Sequence, residues 1–292
     1  MHFASTVVRP PYEAQSVYLQ VTSGCSHNAC RFCTYYKDAP FAISPESEII
    51  EDLQELQHYG IPFSRIWLQG ADPFLLSFER LKRIAELIHT HFPFVKTIGG
   101  YGRIDSLRNK TIDQLKQLKE LGYAGIVFGV ESGDEKILQY MNKGYHADEI
   151  VTQVSKMDKA QIPYEVIFLS GLGGNGYGLD HAKKTAHVFN QLHPDRILIA
   201  GLTIFPDTPL MRDVNAGNFH EATEGERILE LKEFLNDLTI DTLIDATNAS
   251  IITSIYGTIP AHKQEMIRRL ENIYTTYGEK GLRKMRDSLG AI

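Results

Sequence analysis

Residues 16–33 read SVYLQVTSGCSHNACRFC, a short run rich in β-branched and aromatic residues that leads straight into the chain's only three cysteines, Cys25, Cys30 and Cys33. Residues 16–22 have the composition of a strand, so the cysteine loop starts where a strand ends. Three thiols in one loop, with no fourth in the sequence, form neither a disulfide framework nor a four-cysteine metal site. They can hold three corners of a cubane iron–sulfur cluster and leave one iron without a protein thiolate. An iron open to an outside ligand makes such a cluster a reactive centre rather than an electron relay. The same cysteines also admit a zinc knuckle with His27 as fourth ligand, since Cys3His is a common tetrahedral set.

Outward from this loop, strands and helices alternate. Residues 65–69, 97–101, 125–130, 164–169 and 196–200 are further runs of strand length. Ser44 and Pro45 offer an N-cap and a first-turn proline for a helix whose Ile49, Leu53, Leu56 and Tyr59 share a face. A second helix carries Phe78, Leu81, Ile84 and Ile88, and a third spans residues 111–121 and stops at Gly122. Residues 135–141, 148–160 and 181–192 fit further helices. Strands written as continuous apolar runs are buried on both faces, as in a parallel sheet covered by helices. Right-handed crossovers curl such a sheet toward a barrel, although six β/α units fall short of the usual eight. The expected fold is α/β: a partial (β/α)6 TIM-like barrel over residues 16–240. An N-terminal arm (1–15) precedes it, and a C-terminal extension (241–292) follows as a small, mainly helical cap with a helix near residues 261–277. An open doubly wound sheet is the alternative. In both, the active site lies at the carboxyl ends of the strands, where the cysteine loop sits.

The formal net charge of the 292-residue chain is −6. That balance supplies no basic footprint for a phosphate backbone and argues against a nucleic-acid partner. No stretch approaches the roughly 18–20 apolar residues that span a bilayer, and the first residues lack the basic-then-apolar pattern of a signal peptide. Clustered, unpaired thiols suit a reducing compartment. The expectation is a cytoplasmic protein with no membrane partner.

A strand-end cysteine loop with an aromatic residue, Phe32, just before the last cysteine resembles the radical S-adenosylmethionine (radical SAM) superfamily. Four residues, rather than the commoner three, separate the first two cysteines. The resemblance implies that Cys25, Cys30 and Cys33 bind a [4Fe–4S] cluster and that the amino and carboxylate groups of SAM chelate its fourth iron. One electron from the cluster then yields methionine and a 5′-deoxyadenosyl radical, which abstracts hydrogen from the substrate. An external one-electron reductant, a flavodoxin or ferredoxin, is implied as well. Gly70-Ala71-Asp72-Pro73, after the second strand, is similar to the family's Gly-Gly-Glu-Pro, whose backbone carbonyls receive the SAM ammonium. Glu131-Ser132-Gly133, after the fourth, resembles the positions that bind the ribose hydroxyls or the methionine moiety. Ser170-Gly171-Leu172-Gly173-Gly174, after the fifth, looks like the stretch against which adenine lies, and the backbone at Phe32 suits the same contact. Phe205-Pro206-Asp207-Thr208-Pro209-Leu210 is similar to the Pro-Gly-Thr-Pro-Leu stretch of the coproporphyrinogen-oxidase and elongator-like branches. The resemblance thus makes Phe32, Gly70, Ala71, Asp72, Glu131, Ser132, Ser170, Gly171 and Phe205 the expected SAM contacts.

Plain structural roles stand beside these. Asp72 and Glu131 also fit solvated strand-end carboxylates, and Tyr35, Tyr36, Tyr101 and Arg103 fit either a substrate pocket or packing. With no cysteine beyond the three, the chain offers no thiolates for an auxiliary cluster and no methyl-accepting cysteine. An Asp-x-His-x-x-Gly cobalamin motif is absent from the sequence. The expectation is an enzyme with one cluster and SAM acting on a small-molecule substrate. An RNA-modifying enzyme of the same family and a zinc-binding interaction protein are the alternatives.

Overall fold

The apolar runs become strands and the amphipathic segments between them become helices. The computed structural model describes residues 1–37 and 39–289; the last three residues of the expected extension lie outside the described residues. In chain order the elements are β1 (Val17–Gln20), β2 (Thr22–Ser23), β3 (Ala42–Ile43), α1 (Glu46–Tyr59), β4 (Arg65–Gln69), α2 (Phe78–His91), β5 (Thr97–Gly102), α3 (Ile112–Glu120), β6 (Tyr123–Glu131), α4 (Glu135–Tyr140), α5 (Ala147–Ala160), β7 (Tyr164–Ser170), α6 (Gly178–Phe189), β8 (Arg196–Gly201), α7 (Pro209–Asn215), α8 (Glu224–Asp237), β9 (Thr242–Ala246), β10 (Ile255–Ile259) and α9 (Lys263–Asp287).

The main sheet runs in the order β1-β4-β5-β6-β7-β8-β9-β10, and β2 and β3 form a separate antiparallel ribbon. β1, β4, β5 and β6 are parallel neighbours, as are β7, β8 and β9, while β10 joins β9 antiparallel. A doubly wound sheet needs a reversal of strand order. Here the order never reverses, so the sheet is wound in one sense, as in a partial TIM-like barrel.

By contacts the chain divides into two units. The first comprises Met1–Asn28, Tyr35–Gly129 and Thr152–Tyr164. There α1 buries Ile49, Leu53 and Leu56, whereas Tyr59, in its last turn beside Gly60, is exposed and donates its hydroxyl to Glu55 (2.8 Å). Pro45 rather than Ser44 occupies the N-cap position; the Ser44 carbonyl accepts instead from Arg80 (2.7 Å). α2 buries Phe78, Leu81, Ile84 and Ile88. α3 opens on a Thr111–Gln114 capping box and ends at Gly122 with φ 92°. The N-terminal arm is tied down by His2, whose backbone N–H and Nδ1 lie 2.9 and 2.7 Å from the buried Asp52 of α1.

The second unit comprises Ala29–Thr34, Val130–Val151 and Glu165–Ile292. Beyond residue 240 the chain adds β9 and β10 to the sheet, with Arg196 opposite Leu243 and Ile197 opposite Ile244, and then forms α9. Asp245 interrupts the apolar run of β9 and hides the strand from a reading by hydropathy. Its charge is met by Arg196 of β8 at 3.2 Å. α8 is likewise masked, because its buried face carries Glu224, Arg227 and Glu230 among Ile228, Leu231, Phe234 and Leu235. The long α9 is interrupted at Gly278, where φ is 58° and ψ is 179°.

Candidate functional site

In the first unit the turn after β4 is shaped by its glycine. Gly70 has φ 130°, and a Cβ there would sit 1.9 Å from Thr22 Oγ1, so no side chain fits against β2. The Ala71 N–H donates to the Gly24 carbonyl (3.3 Å), joining the turn to the residue before Cys25. Asp72 is buried. Its Oδ1 accepts the Arg103 backbone N–H (3.1 Å), and Oδ2 accepts the hydroxyls of Ser106 (2.6 Å) and Ser26 (3.2 Å). Burial pushes its carboxyl up to about 6, against the opposing pull of Ser106 and Arg103. Asp72 is therefore a bracket between the cysteine loop, the β4 turn and the segment after β5, not a solvated strand-end acid. Within the loop, the Asn28 N–H points at Cys25 Sγ (3.3 Å) and the Asn28 amide donates to the Tyr36 carbonyl (3.2 Å). Tyr36 is buried and Tyr35 exposed. Tyr101 packs edge-on against Trp67 at 5.2 Å, and Arg103 pairs with Asp105 at 3.0 Å.

Cys30, Phe32 and Cys33 belong to the second unit. A turn joins the two cysteines, with the Cys33 N–H donating to the Cys30 carbonyl (3.4 Å). Phe32 packs against an apolar cluster that includes Met141, Leu172 and Leu210. Lys143, nearly fully buried, holds its ammonium 5.8 Å from the centre of the Phe32 ring, 5.6 Å from that of Tyr145 and 3.7 Å from Glu131. Glu131 closes β6 with φ 68°, a conformation that a non-glycine residue rarely adopts. Burial raises its carboxyl above the usual range, and Lys143 opposes that shift. Ser132 is buried and serves the turn, accepting the Asp134 N–H (3.0 Å), while Asp134 caps α4 through the Lys136 N–H (2.8 Å). Lys143 was not among the expected site residues; a single lysine between Asn142 and Gly144 matches no motif.

At the end of β7, Glu230 of α8 accepts the Ser170 hydroxyl (2.7 Å) and the Gly171 N–H (2.6 Å), and its other oxygen meets buried His181 Nδ1 at 2.7 Å. Arg227, one turn earlier, donates to the carbonyls of Ser170 (3.0 Å) and Leu202 (3.3 Å). Gly171 has φ 83°, and a Cβ there would come within 2.2 Å of the Arg227 guanidinium. The Phe205 carbonyl accepts the Thr208 hydroxyl (2.7 Å), which also caps α7 by accepting the Met211 N–H (3.1 Å). Pro209 fills the first turn and Leu210 is buried.

None of the three cysteines is in a disulfide, and each is partly exposed. Three soft sulfur ligands with no fourth cysteine suit an iron–sulfur cluster with one open iron. Among the described residues no group of three or more His, Cys, Asp or Glu is gathered for a metal ion, and this holds equally for the zinc set that includes His27. Two clefts of about 540 Å³ open elsewhere, at the amino ends of β4 and β5 (Phe63, Phe92) and of β8 and β9 (Asp195, Thr242). No helix among the described residues is long and apolar enough to cross a membrane.

A singly wound parallel α/β sheet with a cysteine loop at the end of its first strand defines a class of enzymes, and the family comparison agrees. The Radical SAM superfamily model matches residues 19–189, and the chain belongs to that family. Members of this family bind a [4Fe–4S] cluster and SAM. The heme chaperone HemW of Bacillus subtilis is 22% identical over 213 residues, covering 70% of this chain and 55% of its own. A tRNA-2-methylthio-N(6)-dimethylallyladenosine synthase of Methylacidiphilum infernorum is 23% identical over 242 residues, covering 77% and 49%. The chain thus spans about half the length of these curated relatives. Among solved structures, the radical SAM methyltransferase TsrM of Kitasatospora setae superposes with a TM-score of 0.56 at 16% identity, over 69% of this chain and 37% of that one. The archaeal Elp3 of Methanocaldococcus infernus superposes at 0.52 and 15% identity, over 90% and 64%. These likenesses describe the fold.

Proposed function

We propose that Cys25, Cys30 and Cys33 hold a single [4Fe–4S] cluster and that SAM is bound by the strand ends beside it, for hydrogen abstraction from a small-molecule substrate. The observation that carries this reading is the tie, within the first unit, between the cysteine loop after β1 and the turn after β4, made through Gly24, Ser26 and Asp72. When bound, cluster and SAM supply a carbon-centred radical that removes hydrogen from the substrate. The protein's part is to bind and orient. Gly70 and Ala71 offer backbone to the SAM ammonium, and Asp72 fixes that turn. Glu131 and Lys143 set an anion and a cation side by side at 3.7 Å, the two charges that an amino-acid moiety complements. Ser132, Ser170, Gly171, Phe32 and Phe205 are the further contacts proposed for SAM. Enclosure of the substrate keeps a reactive radical from solvent. The setting is the cytoplasm, with an external one-electron reductant such as a flavodoxin or ferredoxin.

Anaerobic reconstitution tests the reading. The protein should take up about four irons per chain and, once reduced, convert SAM to 5′-deoxyadenosine, and alanine at Cys25, Cys30 and Cys33 should abolish both. Tight stoichiometric zinc in place of iron would overturn it in favour of the zinc-knuckle reading. A second reading, RNA modification, is favoured by the tRNA-modifying relative and opposed by the net charge of −6. Binding of tRNA with a steep salt dependence would replace the small-molecule substrate with RNA and leave the cluster assignment intact.

A further inference from the structure

Cys30 and Cys33 bracket Arg31 and Phe32, and the second unit fastens this stretch at both backbone and side chain. The Arg31 N–H donates to the Met141 carbonyl at the end of α4 (3.0 Å), and its own carbonyl accepts the Leu210 N–H in the first turn of α7 (3.0 Å). The Asn142 amide donates to the Ala29 carbonyl (3.0 Å). The Arg31 guanidinium is ion-paired with Asp213 of α7 and lies over the Tyr140 ring of α4, 5.2 Å from its centre. The Tyr140 hydroxyl donates to the same Asp213 oxygen (2.8 Å), and its ring stacks on Phe219 at 6.2 Å and 13°. A guanidinium held at its edge by a carboxylate and on its face by a ring has little rotamer freedom left.

We propose that Arg31, Tyr140 and Asp213 form a positioning clamp for the Cys30–Cys33 segment, fixing the two thiols relative to the end of α4 and the start of α7. The proposal rests on reading Cys30 and Cys33 as cluster ligands. It also gives the Phe205–Leu210 stretch a function that follows from its bonds: Thr208 and Pro209 start α7 so that the Leu210 N–H and Asp213 meet Arg31. Arg31 is one-third exposed, and ion pairs so exposed add little to global stability. Residues that orient metal ligands, by contrast, govern metal affinity, and their loss costs about 10–100-fold.

The test uses full-length protein reconstituted anaerobically, with the variants Asp213→Asn, Arg31→Met and Tyr140→Phe, and the reciprocal swap Arg31→Asp with Asp213→Arg. Expected are a release of iron to a chelator on the order of tenfold faster in Asp213→Asn and Arg31→Met and an altered electron-paramagnetic-resonance spectrum of the reduced cluster. The smaller change should appear in Tyr140→Phe, recovery toward wild type in the swap, and an unchanged melting temperature in the iron-free singles. If wild-type protein takes up the cluster and the single variants match it in iron release and spectrum, the clamp is refuted alone. Singles that lose iron only in step with a lowered melting temperature refute it too. A wild-type protein that takes up no cluster overturns the ligand reading and the clamp together.

Discussion

Asp72 shows how one buried carboxylate can organise a loop and leave a pH signature. Its oxygens take the Ser26 and Ser106 hydroxyls and the Arg103 N–H, and its carboxyl is pushed up to about 6, from about 4 when unfolded. Between those values the native chain holds the proton and the unfolded chain does not. Stability from this group is therefore full below about pH 4 and declines as pH rises through about 6. Asp72→Asn carries no such proton, and its amide can still accept from Arg103. Its urea-unfolding free energy should thus lack a decline of about 2 kcal/mol that wild type shows between about pH 4.5 and about pH 7. Parallel stability profiles for the two proteins would remove the argument. At this scale the sequence shows chemistry only where residue types repeat a pattern. Cys25, Cys30, Cys33, Gly70 and Gly171 are legible because spacing or backbone geometry demands them. Lys143 and Arg31 are not, since their partners Glu131 and Asp213 come from distant positions and only folding pairs them.

Among the elements, β1 and β4 to β8 are readable as strand-length runs, α2 from its period and α3 from the Gly122 that ends it, whereas β9 and β10 are not. Nor is α8, because the charges on its buried face cancel the amphipathic signal. Those charges have a structural use: Glu230 alone satisfies Ser170, Gly171 and His181 at the end of β7. Truncating it strands three buried polar groups, each a penalty of about 1–3 kcal/mol when left unpaired. Glu230→Ala is expected to cost at least about 3 kcal/mol in urea unfolding. Glu230→Gln should cost clearly less, because its amide oxygen can still accept the Gly171 N–H. Equal losses in the two variants would mean that packing volume, not the hydrogen bonds, makes Glu230 matter. The same comparison bears on the proposed adenine contact. A β7 end that is no longer pinned should bind SAM more weakly in Glu230→Ala than in Glu230→Gln.

For the molecule as a whole, residues 241–292 contribute two strands to the sheet as well as α9. β9 lies parallel to β8 along Arg196–Leu198, and β10 closes that side as an antiparallel edge strand. Removing both would leave β8, three of whose central residues are buried, as an open edge with unpaired N–H and C=O groups. α9 adds a second tie. Its final stretch sends Arg286 to Glu224 at 2.6 Å and Arg283 to Glu221 at 3.0 Å, while Glu279 accepts the N–H groups of Glu224 and Gly225 at 2.9 and 2.8 Å, capping α8. Loss of that cap leaves the start of α8 with orphan donors and Glu224 buried without its arginine. Because α8 pins the end of β7, the damage runs from the C-terminal segment to the strand end proposed to hold SAM. A chain ending at residue 240 should therefore fail as a folded unit and not merely lose a lid. Expected are aggregation, or a compact state with helical far-ultraviolet dichroism, strong binding of a hydrophobic dye and no cooperative thermal transition. A separable cap predicts the opposite: a monomeric core that melts cooperatively near the full-length temperature and still takes up iron after anaerobic reconstitution. Observing that behaviour would return residues 241–292 to the role of an accessory cover.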